Sequence, residues 1–410
     1  MTTNVHLPTN TLSETGKRTG HWGGVYAMTL CVFALIASEF MPVSLLTPLA
    51  NDLQVSQGLA GQGLAISGAF AVLASLSISW IAGTLNRKTL LLALTGLMAL
   101  SGIIVALAPN YLIYMTGRAL IGVVIGGFWS MSAATAMRLV PAAQVPRALA
   151  VFNAGNALAT VVAAPMGSYL GSIVGWRGAF LCLVPVALIA LVWQWISLPD
   201  MPAQKRSPGA GNVFKLLKNR KVALGMAAAG LFFMGQFTLF TYLRPFLETV
   251  TQVSVPILSL LLLVIGVAGF CGTTLIGVVL KRSLYGTLST ISLLMAVIAA
   301  ALIPAGTWVI AVAVLLGLWG FIATAAPVGW WSWIANALPD HAEAGGGLMV
   351  AIVQLAIAVG STVGGVLFDA LGYQSTFIAS AAMLMLAALL TFLTARSPVP
   401  HTRCPPGSPP

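Results

Sequence analysis

Twelve stretches of predominantly apolar residues follow one another along this chain, and each is long enough, at about 20 residues, to cross roughly 30 Å of hydrocarbon as one helix. Only 7% of the 410 residues are charged, against roughly 25% in soluble globular domains. The sequence therefore predicts an all-α membrane protein with twelve transmembrane helices. The stretches lie near 25–48, 62–82, 89–108, 111–137, 147–170, 178–197, 222–243, 256–279, 287–304, 308–334, 346–367 and 375–394.

Lys and Arg residues indicate the orientation. With a cytoplasmic N-terminus, 16 of the 19 basic residues fall on the cytoplasmic side, Arg177 and Arg244 fall outside, and Arg118 lies within a span. Because Lys and Arg concentrate in cytoplasmic loops, we expect both termini to be cytoplasmic. The first stretch lacks a small-residue cleavage site, so we interpret it as a permanent span and not as a signal peptide. Topology accounts for most of the net charge of +11, and no nucleic-acid partner is expected.

The longest connection between spans, Leu198 to Lys221, has six basic residues and a centre rich in Pro and Gly. It separates six spans from six spans, which predicts two six-helix bundles joined by a linker. The predicted division is a cytoplasmic tail at 1–24, a bundle at 25–197, a basic linker at 198–221, a second bundle at 222–394 and a cytoplasmic tail at 395–410.

The two predicted bundles resemble each other in sequence. The segment Gly175 to Phe180 reappears 197 positions later as Gly372 to Phe377, with glycine first and phenylalanine last in both copies. Membrane transporters built from repeated halves show such long-period similarity and bind their substrate near the bilayer midplane between the halves. The repeat therefore predicts a transporter with two pseudo-symmetric bundles.

Two charged residues lie deep within predicted spans. An ionisable residue at the bilayer centre costs at least about 2.5 kcal/mol, so such residues are functional candidates. Glu39 precedes Pro48 by nine residues and Arg118 follows Asn110 by eight, which corresponds to depths of about 13.5 and 12 Å at about 1.5 Å per residue. We expect Glu39 and Arg118 to be close enough to pair.

Glu39 is the candidate proton carrier. All four histidines lie outside the spans, and the acidic residues Asp52, Glu248 and Asp369 lie at or beyond the outer boundary. A movement that brings Arg118 towards Glu39 and takes it away would load and release a proton. The alternative is a structural ion pair that clamps the first span to the fourth without proton exchange.

Small residues follow Arg118 along one face of the fourth span. Gly122, Gly126 and Trp129 lie at i+4, i+8 and i+11 from Arg118, and glycines in such a stripe let another helix approach closely. Helix packing is the simplest interpretation. The ring of Trp129 could instead offer a flat surface to a planar ligand.

Uncharged hydrogen-bonding side chains provide the other candidates for a substrate cavity. Amides and hydroxyls suit a neutral polar solute such as a sugar or nucleoside better than an organic ion. The alternative is that they form hydrogen bonds between helices. The candidates are Asn153, Asn156, Gln236, Thr241, Tyr242 and Gln354.

Pro165 and Gly167 in the fifth span predict a bend or a close contact with the other half, because proline frees a backbone carbonyl. The sequence contains no G-x-x-x-x-G-K-[ST] phosphate loop, so we do not expect ATP to drive transport directly. The four cysteines form no C-x-x-C pair and have no histidine at ligand spacing. No metal, cofactor or enzymatic activity is expected.

These features together resemble the major facilitator superfamily over residues 22–395. Arg118-x-x-x-Gly122, Ala164-Pro165-Met166-Gly167-Ser168 and Gly175-Trp176-Arg177 are similar to motifs of its drug:proton antiporter group. Ala164 stands where that group usually has glycine. The resemblance implies the major facilitator fold and proton-linked efflux by alternating access.

Several further segments are similar to the bacterial purine ribonucleoside efflux pumps of this superfamily. The resemblance implies proton-driven export of purine ribonucleosides such as inosine and guanosine across the bacterial inner membrane. We expect the partners to be substrate, protons and lipid, and the protein to function as a monomer. The segments are Glu39–Pro48, Gly126–Ala133, Gly235–Phe237, Thr241–Pro245 and Pro327–Trp330.

One loop departs from the superfamily pattern. The sequence Gly83-Thr84-Leu85-Asn86-Arg87-Lys88 is compressed and has Asn86 where the resemblance leads us to expect an aspartate, so a conformational role for Arg87 and Lys88 competes with a purely topological one. The same fold could also export a sugar or a drug. A membrane sensor is a further alternative from another functional class, although a sensor should carry a sizeable soluble output domain.

Overall fold

The structure, a computed structural model, describes residues 20–81, 85–202, 213–338 and 342–396. Every regular element in these ranges is helical, which confirms the predicted all-α class. Most of the predicted tails at 1–24 and 395–410 and the centre of the predicted linker at 198–221 lie outside the described residues.

The first half of the described chain folds into long apolar helices joined by short connections. Asn86 and Asn110 cap two of these helices, since their side chains accept hydrogen bonds from Lys88 N and Ile113 N. The elements are α1 (Trp22–Ser44), α2 (Leu46–Asp52), α3 (Gln57–Ile81), α4 (Arg87–Ala106), α5 (Tyr111–Leu139), a 3-10 turn (Ala142–Gln144), α6 (Val145–Leu181) and α7 (Leu183–Ser197).

The second half follows a similar order of spans, but its fourth span is divided into two helices and its 3-10 turn comes first. Asn219 and Ser283 act as caps here, through bonds from Lys221 N and Gly286 N. The elements are a 3-10 turn (Val213–Lys218), α8 (Arg220–Phe240), α9 (Leu243–Thr249), α10 (Val255–Leu280), α11 (Leu284–Ala305), α12 (Val309–Ala323), α13 (Ala326–Ala337), α14 (Ala342–Leu371) and α15 (Tyr373–Arg396).

Eleven helical stretches among the described residues are long and apolar enough to cross a membrane. The longest, Arg147–Ser197, has 51 residues, or about 76 Å at 1.5 Å per residue, which is enough for two crossings. The turn between these crossings is at Gly175, the one residue of α6 with non-helical dihedrals. The architecture is therefore the predicted set of twelve spans in two six-helix bundles.

Three spans expected as single helices are interrupted. The spans predicted at 25–48, 222–243 and 308–334 break at Leu45, Thr241–Tyr242 and Thr324–Ala325. In each case a proline lies within three residues of the break, at Pro48, Pro245 and Pro327. Proline has no N–H and its ring collides with the carbonyl four residues earlier, so it begins a new helical segment more easily than it continues one.

Backbone geometry repeats between the halves as the sequence does. Gly175 and Gly372 have φ values of 75° and 81°, and the only non-glycine residues with positive φ in the described ranges are Gln54 and Gln252, at 54° and 56°. The offsets within these pairs are 197 and 198 positions. The two bundles therefore make equivalent tight turns at equivalent places.

The two halves pack against each other along two helix pairs, α3 with α14 and α6 with α10. In the second pair, a Cβ added to Gly266 would lie 2.6 Å from Val161 Cα and 2.9 Å from its carbonyl oxygen. Pro165 lacks the N–H that would normally bond to the Val161 carbonyl. The Val161 carbonyl, which Pro165 leaves without its helical partner, thus faces the other half. The predicted bend in the helix lies ten residues after Pro165, at Gly175.

A substitution at Gly175 tests how much these turns contribute to stability. At φ 75° and ψ 166° it occupies a region that is essentially restricted to glycine, yet a Cβ there would meet nothing within 4 Å. We expect Gly175→Ala to lower the free energy of unfolding by about 1–3 kcal/mol through backbone strain alone. Thermal unfolding in detergent measures the loss. Gly96→Ala is the control, since Gly96 is helical and equally open, and this change should leave stability unchanged or raise it.

Candidate functional site

Arg118 of α5 is fully buried and binds the backbones of two neighbouring helices. Its guanidinium donates to the carbonyl oxygens of Ser38 (2.8 Å) and Glu39 (3.0 Å) in α1 and of Gly63 (3.1 Å) in α3. A fourth bond goes to Ser67 Oγ at 3.3 Å. Arg118 therefore joins α1, α3 and α5 through the planar set of donors that only arginine provides.

Pro42 explains why one of these carbonyls is available. In an α-helix the Ser38 carbonyl would accept a bond from the N–H of residue 42, but that residue is a proline inside α1. A buried carbonyl without a partner is costly, and Arg118 supplies the missing donor. Proline on one helix and arginine on another thus form one structural unit.

The Glu39 carboxylate contacts the other half of the protein and not Arg118. Gln354 Nε2 of α14 donates to Glu39 Oε1 at 3.3 Å, and both residues are buried. Among the described residues no carboxylate oxygen lies within 4.0 Å of the Arg118 guanidinium, so the expected side-chain pair is replaced by bonds to backbone carbonyls. The reason is geometric, since the fork of Arg118 is already occupied by Ser38, Glu39 and Gly63 carbonyls.

The side chain of Gln354 is suited to either protonation state of Glu39. An amide donates through its nitrogen and accepts through its oxygen, so it can bond to an ionised carboxylate or, after rotation, to a protonated one. Gln354 Oε1 is buried and has no hydrogen-bond partner in the part of the chain that the structure describes. A second amide oxygen, Gln236 Oε1 on α8, is in the same situation.

An aromatic contact crosses between the halves beside the polar one. The rings of Phe40 on α1 and Phe237 on α8 are stacked, with centroids 5.7 Å apart and planes at 21°. Phe237 is 4% exposed, whereas Phe40 is partly buried and packs against the buried clusters of both halves. Two consecutive residues of α1 therefore contact the other half.

Further polar contacts join the halves at the end of the bundle that carries α2 and α9, which we name the α2 end. Asp369, near the end of α14, accepts bonds from Ser56 Oγ and from Gly58 N (2.9 Å) in the first turn of α3. Arg244 of α9 donates to the Ser44 carbonyl of α1. The carboxylate of one half thus caps a helix of the other.

The predicted cavity residues Thr241 and Tyr242 are both buried near the α2 end. Thr241 Oγ1 lies 3.1 Å from Ser361 Oγ, and Tyr242 Oη donates to the Ser361 carbonyl at 2.8 Å and towards the Gly58 carbonyl at 3.4 Å. Their hydroxyl groups are engaged in packing between helices. For these two residues the structure matches the alternative interpretation, hydrogen bonding between helices.

The remaining predicted cavity residues are more dispersed. Asn153 is exposed and its amide donates to the Leu149 carbonyl of its own helix at 3.1 Å. Asn156 and Trp129 are partly buried, and Trp129 packs against the core of the first half. No hydrogen bond between described residues links these side chains to Glu39 or Gln354.

The glycines of the fourth span lie at a tight helix crossing. A Cβ on Gly122 would be 2.2 Å from the Ser67 carbonyl, and one on Gly126 would be 2.1 Å from the Ala71 carbonyl. A Cβ on Gly167 would be 2.7 Å from Ser44 Oγ, which belongs to the same half. The structure therefore places close packing of α3 on α5, and of α6 on α1, at these glycines.

Arg87 and Lys88 form the first turn of α4. Arg87 N bonds to the Met201 carbonyl at 2.9 Å, and Lys88 N bonds to Asn86 Oδ1 at 2.9 Å. The Asn86 amide nitrogen also donates to Asp200 Oδ1 at 3.4 Å. Asparagine thus replaces the expected aspartate as the cap, and a conformational role for the two basic residues stays a prediction.

Phe40, Phe237 and Asp369 are contact residues between the halves that the sequence did not single out as site residues. A phenylalanine does not stand out in an apolar span, and Asp369 lies at a helix end where carboxylates are common. The sequence signals for the two phenylalanines are their positions after Glu39 and Gln236 and their place in the resembling segments Glu39–Pro48 and Gly235–Phe237. In the described ranges no group of three or more His, Cys, Asp or Glu residues could hold a metal ion.

The sequence profile of the Major Facilitator Superfamily matches residues 28–349. The chain belongs to this superfamily. It is 67% identical over 394 residues to a protein of Pseudomonas aeruginosa named transcription regulatory protein OpdE, covering 95% of this chain and 98% of that one. It is 39% identical over 370 residues to the purine ribonucleoside efflux pump NepI of Salmonella enteritidis, covering 90% and 93%.

Solved structures of similar shape agree with this assignment. The crystal structure of the nucleoside transporter NupG has a TM-score of 0.73 at 12% identity and covers 91% of this chain and 98% of NupG. A bacterial homologue of the lysosomal transporter Spinster has a TM-score of 0.71 at 17% identity and covers 93% and 98%. At these identities the likeness shows the shared fold of this multi-pass membrane protein.

The unit formed by Arg118 and Pro42 can be tested by a double-mutant cycle. Arg118→Lys leaves buried carbonyls unpaired, so we expect a loss of about 1–3 kcal/mol for each carbonyl that loses its donor. Pro42→Ala restores an N–H for the Ser38 carbonyl and should reduce the cost of Arg118→Lys by about 0.5–3 kcal/mol. Unfolding in mixed micelles measures the four stabilities. Strictly additive effects would contradict the linkage.

Proposed function

We propose that this chain is a proton-coupled antiporter that exports purine ribonucleosides, including inosine, guanosine and their analogues, by alternating access. The observation that carries the proposal is the bond between Glu39 of one half and Gln354 of the other. Glu39 is the buried carboxylate of the described spans, and it lies where a proton can alter the contact between the halves. Membership in a transporter superfamily supports transport in place of catalysis.

Coupling follows from the desolvation of Glu39. A carboxylate in hydrocarbon is costly when ionised, and the Gln354 amide and the nearby Arg118 guanidinium offset part of that cost. When the halves separate at this point, Glu39 loses Gln354 and gains access to water or substrate. Protonation in one arrangement and release in the other then exchange a proton for a solute.

The substrate class rests on two supports. The buried Gln354 amide at the interface of the halves suits a neutral polar solute, and it carries no charge that would select an organic ion. The relative NepI is named a purine ribonucleoside efflux pump, and the chain covers almost its whole length. Export of a sugar or of several drugs by the same fold is the alternative.

The proposed orientation places both termini in the cytoplasm and the α2 end in the periplasm of a bacterial inner membrane. Six spans at 25–197 and six at 222–394 then rock as two bodies about the linker at 198–221, in a monomer. The bonds of Asp369 and Arg244 across the halves would hold the periplasmic side closed in the described arrangement. Inward movement of one proton supplies about 2.3 kcal/mol per 100 mV, which sustains useful accumulation outside.

The proposal predicts that Glu39→Gln uncouples transport. Glutamine is neutral and similar in size to glutamate, so gradient-driven efflux of radiolabelled inosine from proteoliposomes should fall to background. Exchange of inosine between equal pH values should persist, since no net proton movement is needed. Asp200→Asn is the control, because Asp200 is exposed and lies beside Asn86, away from the site. Unchanged gradient-driven efflux by Glu39→Gln would refute the role of Glu39.

A second candidate function, control of gene expression, is favoured by the name of the OpdE relative. A transporter affects transcription by changing the internal concentration of a solute that another protein senses. A membrane sensor without transport would act instead through conformation alone. Among the described residues the regular elements are helices of two bundles and their short connections, which favours the first route.

The transport-deficient variant Glu39→Gln distinguishes regulation through efflux from regulation through conformation alone. Transcript profiles of a null strain complemented with wild type or with Glu39→Gln should differ if regulation depends on efflux. Equal restoration by both forms, with inosine efflux abolished in Glu39→Gln, would indicate a sensor. Immunoblots of membrane fractions confirm equal expression.

A further inference from the structure

Helix packing alone does not require two large aromatic rings at the contact between Phe40 and Phe237. Interfaces between membrane helices are commonly built from small residues, as at Gly266 and Val161 in this chain. Here two large rings meet from different halves, with centroids 5.7 Å apart and planes at 21°. The edge of Phe240 contacts the same Phe237 ring at 6.0 Å and 85°, which fixes the ring from one side.

The position of the rings links them to the polar site. Phe40 directly follows Glu39, so its Cα lies only about 1.5 Å further along the axis of α1. Glu39 reaches α14 through Gln354 while Phe40 reaches α8 through Phe237. A ligand with a flat face and a polar edge would satisfy both contacts, the rings through its face and the amide through its edge.

Gln354 supplies an independent indication of a ligand. The residue is 7% exposed, and its Oε1 has no hydrogen-bond partner among the described residues. A buried amide oxygen without a partner is costly. It would accept a hydrogen bond from an N–H or O–H group, and purine ribonucleosides offer such groups on both base and ribose.

Trp129, the ring that the sequence suggested for stacking, meets fewer of these conditions. It packs against the core of the first half only. Phe40 instead packs against the buried clusters of both halves. A base on Phe40 and Phe237 would therefore sense the relative position of the halves, as alternating access requires.

We propose that Phe40 and Phe237 form the aromatic platform on which the purine base of the substrate stacks, with Gln354 Oε1 accepting a hydrogen bond from its polar edge. The proposal rests on the proposed function and assigns the residues that select a purine. The stack between the two rings is the arrangement without substrate, and the base replaces part of that contact when it binds.

Replacement of the rings by leucine tests the platform. Phe40→Leu and Phe237→Leu keep apolar volume but remove the π face, and aromatic stacking on a base accounts for about a 5- to 150-fold change in affinity. We expect both variants to raise the half-saturation concentration for inosine exchange by such a factor in proteoliposomes at equal pH. Phe40→Tyr and Phe237→Tyr should remain within about threefold of wild type, because tyrosine preserves the ring.

Two controls separate stacking from structural damage. Phe180→Leu removes a buried ring that contacts Trp176 within one half, so it should leave half-saturation unchanged. The preference for inosine over uridine should fall in Phe40→Leu and Phe237→Leu, since the larger purine gains more from stacking. A loss of folding alone would lower the amount of active protein without changing this preference.

The outcomes distinguish this inference from the proposed function. Wild-type exchange of inosine, with unchanged half-saturation and unchanged purine preference in both leucine variants, overturns the platform and leaves the function intact. Wild type that exchanges no purine nucleoside overturns both. A selective loss of purine preference that tyrosine rescues supports both.

Discussion

The arrangement at the centre of this protein depends on the bonds that the buried guanidinium of Arg118 makes to the backbone of α1. Pro42 removes the helix partner of the Ser38 carbonyl, and Arg118 replaces it while also binding the Glu39 carbonyl. Because these bonds hold the backbone and not the carboxylate, they set the position of residues 38 and 39 without neutralising Glu39.

With α1 held in this way, consecutive side chains project to the other half. Glu39 meets Gln354 of α14, and Phe40 meets Phe237 of α8. In the proposed alternating access both contacts join bodies that separate, so each would be a place where a proton or a ligand changes the balance between arrangements. Asp369 and Arg244 add contacts of the same kind at the α2 end, where water is closer.

Much of the fold follows from simple features of the sequence. Apolar length predicts the spans, and the repeat of Gly175 at Gly372 predicts two similar halves. The structure adds that both glycines have positive φ values. The helix breaks at Leu45 and Tyr242 are not predicted from hydropathy, because a hydropathy value is an average over many residues and does not register the prolines that cause the breaks. Burial cost selects Glu39 and Arg118 as site residues, but only three-dimensional packing shows that Arg118 binds carbonyls or that Gln354 is the partner of Glu39.

Proton release on substrate binding tests the central claim most directly. Inosine added to the purified protein in weakly buffered detergent near pH 7, with a pH indicator, should release protons in proportion to occupied sites, because substrate and proton compete at Glu39. Glu39→Gln should bind inosine and release none. Inosine binding by the wild type without proton release, or equal release by Glu39→Gln, would contradict the proposal that Glu39 couples the two.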